Sequence, residues 1–138
     1  MSGLYALTKA TISRGGLNLE TADIRAIPVT ALYTPNFTTH DFLDDVGAGA
    51  RSATAVALSA KTLAVAAGVV AFDANDLTFP AVPTGDPIVA LILYVHTGTE
   101  STSRLLAYLD YFTSLPITPD SRDIVFAFPS DAAKVFSW

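Results

Sequence analysis

Scanned for alternating apolar and polar positions, the chain from Asp23 onward is a series of short apolar runs, broken by Gly, Pro, Asn, Asp and Ser about every ten residues. That rhythm predicts an all-β fold: a single β-sandwich, jelly-roll-like, with strands over residues 24–33, 51–58, 61–66, 69–73, 77–79, 88–96, 104–112, 123–128 and 134–138. The runs are rich in β-branched and aromatic residues, which pack well on a pleated surface. In residues 123–128, Ile124, Phe126 and Phe128 fall on one face and Val125 and Ala127 on the other. Both faces are apolar there, as they are in 88–95 and 105–109, so these strands are expected to be covered on both sides, the outer face by another sheet or subunit.

The breaks between runs have local causes. Pro80, Pro83 and Pro87 with Gly85 and Asp86 exclude a central strand through residues 80–87, and a loop is expected there. Residues 97–102 read as a hairpin loop, and Pro119-Asp120 suits the first positions of a turn. One segment departs from the strand pattern. Thr38 or Thr39 is placed to cap a short helix with Asp41 in its first turn, Phe42, Leu43 and Val46 on its apolar side, and Gly47 as its stop. Residues 1–22 form a separate arm or short helix ahead of a sandwich domain over 23–138. Within the arm, residues 4–12 suit either a helix or an extended segment that docks on a neighbour, and Gly15-Gly16 reads as a flexible joint.

Composition sharpens the picture. Of 138 residues, 51% are hydrophobic and only 15% charged, against about 25% in an ordinary soluble domain. No apolar run reaches the roughly 20 residues of a spanning helix; residues 60–72 and 87–95 are strand-sized, which points to burial between protein surfaces. The net charge is −5, and Lys9, Arg14, Arg25, Arg51, Lys61, Arg104, Arg122 and Lys134 are dispersed, which argues against a nucleic-acid partner. The absence of cysteine removes disulfides and thiolate metal sites. The first residues lack the basic and apolar regions of a signal peptide, so synthesis in the cytoplasm without secretion by that route is expected.

Candidate chemistry is sparse. A hydrolytic triad would have to use His96 with Ser101 or Ser103 and Asp110, yet no Gly-x-Ser-x-Gly elbow accompanies them. His40 with Asp41, Asp44 and Asp45 places a histidine and a carboxylate one helical turn apart, but lacks a second histidine. Residues 73–76 resemble the start of a calcium loop without its later glycine and glutamate, and an Asx-type turn explains them better. Asn36-Phe37-Thr38 matches a glycosylation sequon. Tyr108, Tyr111, Phe112, Phe126, Phe128, Phe136 and Trp138 crowd the last third; they suit core and interface filling, or a carbohydrate platform. No catalytic residue, cofactor or metal is expected.

Four segments carry a resemblance: LYTPNFTTHDFLDDV at 32–46, VAFDANDLTF at 70–79, LILYVHTGTESTSRLLAYLD at 91–110 and LPITP at 115–119. Together they resemble the capsid cement, or head decoration, proteins of tailed bacteriophages. The resemblance implies a non-enzymatic virion protein on the outer surface of an HK97-type shell. Its partners would be the major capsid protein and itself, as a homo-oligomer, a dimer before a trimer. Expected contact residues are Leu4, Tyr5, Leu7, Ile12 and Leu17 of the arm, Pro80, Val82 and Pro83 of the proline loop, and Phe136 and Trp138. A tail, neck or baseplate component, or a glycan-binding module on the virion, are the rival readings.

Overall fold

The computed structural model describes residues 2–129 and 135–137, and they form a mostly β structure with one α-helix. In chain order its elements are β1 (Gly3–Leu4), α1 (Ala6–Ser13), β2 (Ile24–Thr30), β3 (Val56–Ala57), β4 (Thr62–Ala66), β5 (Val69–Asp73), β6 (Leu77–Phe79), β7 (Ile88–Val95), β8 (Leu105–Leu109), β9 (Ile124–Phe126) and β10 (Phe136–Ser137). They make three antiparallel sheets of order β1-β8-β7-β2-β3, β10-β5-β4 and β6-β9. Lys134 and Trp138, at the ends of the expected last strand, lie outside the described residues.

The five-stranded sheet is apolar on both faces, as the run pattern predicts, and both are covered by this same chain. On one side Ile24, Ala26, Ile88, Leu91, Leu93 and Leu109 meet Phe72, Phe79, Phe112, Phe126 and Phe128. On the other, Ile27, Val29, Ile92, Tyr94 and Tyr108 meet Tyr5, Tyr33, Leu43, Val46 and Ala50. No second subunit is needed to bury this sheet. The total accessible surface of 6866 Å² equals the roughly 6,900 Å² that size scaling gives a compact monomer of this mass.

Three expectations are corrected by packing. Residues 38–46 do not form an α-helix. Asn36 Oδ1 accepts the Thr38 and Thr39 amides at 3.1 Å, and the amide of Leu43 is taken by Ser103 O at 2.8 Å, which leaves only a 3₁₀ turn at Leu43–Asp45. Residues 51–58 shrink to β3. Pro28 in the adjoining β2 has no N–H to donate, so past Ala26 the ladder is reduced to Ser52 N–H on Pro28 O and a lone bridge between Val29 and Arg51. Gly15-Gly16 is a helix stop. Gly15 adopts φ +75° and donates to Ile12 O while Gly16 donates to Thr11 O, the two bonds of a Schellman cap.

The segment 2–22 is built into the body. β1 pairs with β8, Tyr5 is fully buried, and Gly3 passes so close beneath the Phe37 ring that a Cβ would sit 3.1 Å from it. Between the sheets, Phe126 packs edge-on against Phe79 and Phe112 at ring separations of 5.6 and 5.1 Å. Phe126→Ala is expected to lower stability by about 3–5 kcal/mol, read as a fall in denaturant midpoint at unchanged slope. Val125→Ala, on the exposed side of the same strand, should stay within about 0.5 kcal/mol.

Candidate interaction surface

The ten expected contact residues separate cleanly. Tyr5 and Val82 are completely buried and Phe136 nearly so; as core residues they cannot present a surface, and for them the expectation is corrected. Leu4, Leu7, Ile12 and Leu17 are half-buried around α1, and Pro80 and Pro83 are exposed. Trp138 lies outside the described residues. Leu4 and Ile12 line a shallow groove of about 340 Å³ with Lys9 and Ser13.

Pro80 and Pro83 border a larger feature. With Ala81 they form one wall of an open groove of about 570 Å³ whose other wall is the stretch Arg51–Val56. The same stretch lines a second groove of about 360 Å³ toward Arg25, Tyr94, His96 and Glu100. A third groove, reaching Thr84 and Gly85, shares Arg51, Ser52 and Pro83. All three grooves share Arg51 and together make up a trough beside the β3 edge of the large sheet.

The trough's walls are tied from behind by hydrogen bonds. Val82 N–H donates to Arg122 O and Ser121 N–H to Val82 O, at 3.0 and 2.9 Å, and Asp123 Oδ1 accepts the Ala81 amide at 2.8 Å. These bonds hold Ala81 and Ser121 at φ 45° and 71°, a left-handed conformation costly for residues with a Cβ. At the other wall the Arg51 guanidinium donates to Val46 O and Leu43 O and forks onto Glu100, with its Nη1 at 2.5 Å from the carboxylate. Arg51 thereby ties the 3₁₀ turns at Leu43–Asp45 and Ala48–Ala50 to the one at Glu100–Thr102. Nothing in the sequence pattern marks this arginine; only the fold brings its partners within reach.

The sequence-derived catalytic and metal candidates are not assembled. Ser103 Oγ donates to Thr99 O and Asp110 pairs with Ser2 beyond the far end of β8, while His96 stacks edge-on against Tyr94. His40 Nδ1 accepts the Asn36 amide and the Tyr33 hydroxyl, and Tyr5 in turn donates to Tyr33 at 2.7 Å, so His40 serves to latch the N-terminal segment. Asp45 accepts the amides of Asp41 and Phe42, and Asp76 accepts that of Phe128. Among the described residues no three metal-ligating side chains gather. Of the aromatic group, Tyr108, Phe112, Phe126, Phe128 and Phe136 are core; Tyr111 is half-exposed, with its hydroxyl on Val135 O.

Compared with known proteins, the chain matches no family model and no curated sequence.

The Arg51 fork holds the Glu100 carboxyl below the ordinary carboxylate range. Burial alone would raise Asp45, but the two backbone amides and His40 outweigh it and lower that group as well. Both acids bind protons less readily folded than unfolded, so their contribution is full above the ordinary carboxylate range, about pH 4, and is lost as pH falls through the lowered folded values. Thermal melts should show Tm dropping below about pH 4. Glu100→Gln should flatten that slope. At neutral pH, Arg51→Met should cost about 1–3 kcal/mol by leaving the Leu43 and Val46 carbonyls without their donor. Arg51→Lys should not restore the loss, since one ammonium cannot reproduce the fork.

Proposed function

We propose that this protein is a capsid cement, or decoration, protein: a non-enzymatic, jelly-roll-like β-sandwich that binds the outside of an HK97-type shell and lies across junctions between major capsid protein subunits. The observation that carries the reading is the trough along Arg51–Val56 and Pro80–Pro83. In the groove between Arg51–Val56 and Pro80–Pro83 the lining side chains are small and apart from Arg51 uncharged, which suits a broad, dry protein contact better than a small-molecule site. Two antiparallel layers with the Phe72, Phe79 and Phe126 side chains between them support the sandwich description. A contact of about 1,600 Å², repeated by symmetry, stabilises a shell even where each copy binds modestly.

Burial of Tyr108, Phe112, Phe126, Phe128 and Phe136 withdraws most of the aromatic group from a glycan platform. A tail, neck or baseplate component shares the same surface logic and differs in copy number. The test mixes purified protein with shells lacking it, counts bound copies by mass or cryo-EM, and then heats both samples. On the order of hundreds of copies with a raised rupture temperature is the expected result. Absence of binding overturns the capsid assignment, and a handful of copies moves the protein to the tail. Thr54→Glu, an exposed change in the trough wall, should cut bound copies about tenfold or more by burying an unpaired charge while leaving the protein's own Tm unchanged.

A further inference from the structure

The hairpin β4–β5 stands apart from everything described so far. Residues 62–72 carry no charge, yet every residue of β4 is exposed; Val65 is 76% exposed, and Leu63 and Val69 are 37% and 38% exposed. The turn is Ala67-Gly68, both left-handed at φ 51° and 78°, a tight type I′ connection. The register pairs Ala66 with Val69 and Ala64 with Ala71. With a two-residue turn these are the mutually hydrogen-bonded pairs, so the backbone groups of Leu63 and Val65 point out of the free edge. The bond from Leu63 N–H to Glu20 Oε1, at 3.0 Å, confirms that phase. Val65 N–H and C=O and Leu63 C=O meet no partner among the described residues.

We propose that this edge is a seam between two copies of the chain, which join through β4, antiparallel, about a two-fold axis at Ala64. The edge is its own complement. In that register Val65 N–H donates to Leu63 C=O of the second copy and the reverse, and the two Leu63 amides complete the set when Glu20 lets go. The side chains placed across the seam are Leu63 against Val65 and Ala64 against Ala64, apolar pairs without like-charge opposition. Charge favours this strand as well: each copy carries −5, yet residues 62–72 carry no charge, and Glu20 beside Leu63 is the acid that must swing aside as the copies meet. The result is a continuous six-stranded sheet, β10-β5-β4 joined to its image, as edge strands form wherever they are left unblocked.

Area sets the strength. A five-residue edge is about 17 Å long. Pairing it covers less than the roughly 800 Å² per partner of a standard interface, which would be about 12% of the 6866 Å² surface. The free dimer is therefore weak, and it tightens where many copies are held close together. The contact does not depend on the capsid reading, since it is measured on the isolated protein.

The experiment is sedimentation velocity on the intact chain from about 5 μM to about 1 mM, with an oxidation assay on Ala64→Cys. The natural chain has no cysteine, and residues facing each other at a non-hydrogen-bonded position have Cβ atoms about 4.5–5.5 Å apart, close enough to bridge with a small adjustment. The expected results are concentration-dependent dimerisation, a covalent dimer of the cysteine variant, and at least about tenfold weaker association of Val65→Lys with an unchanged melt. Glu20→Ala should tighten association severalfold by freeing Leu63 N–H. A chain that stays monomeric to about 1 mM, a cysteine variant that forms no covalent dimer, or a Val65→Lys variant that associates like the wild type overturns the proposal.

Discussion

A central sheet that is apolar on both faces must be covered on both faces, and the rest of this structure follows from that constraint. In β7 every residue from Ala90 to Leu93 is completely buried, so the strand has no solvent side to give up. Burying each large apolar side chain contributes roughly 1.5–3 kcal/mol, and leaving either face open would forfeit several of these at once. One cover is the phenylalanine layer of β5, β6 and β9. The other is irregular: Tyr5, Tyr33 and the 3₁₀ turns of residues 43–50.

The irregular cover explains where polar groups go. A lid made of turns carries many backbone carbonyls and amides with no ladder to satisfy them, and near a core these must find partners. Arg51 supplies donors to two carbonyls, Asp45 accepts two amides, and His40 accepts a third. Side chains that in sequence resemble catalytic or metal-binding groups are thus engaged in holding turns. The same demand fixes the N-terminal segment, whose Tyr5 fills the lid's core and whose hydroxyl closes the chain through Tyr33 to His40.

With both sheet faces closed internally, what remains outside is the rim. The trough beside Pro80 and Pro83 and the β4 edge are both places where the ladder stops. At β3 it stops because Pro28 cannot donate; at β4 it stops because no further strand among the described residues pairs with it. Unpaired sheet edges of this kind are where backbone groups stay available for pairing.

The sequence by itself determined the β class, the apolar core strands β2, β5, β6, β7 and β8 to within a few residues, and the proline loop, because these rest on period-two alternation and on local turn chemistry. It did not separate Tyr5 and Val82 from a surface patch, since a buried aromatic and an interface aromatic have the same local pattern. Nor did it foresee that residues 38–46 would give their amides to Ser103 and Asp45, that Pro28 would cut β3 short, or that residues 62–66 would be left in solvent. Those outcomes were decided by the tertiary structure. Hydrogen-bond competition between segments sixty residues apart, and the supply of strands available to cover an edge, are properties of the packed chain that no local window contains.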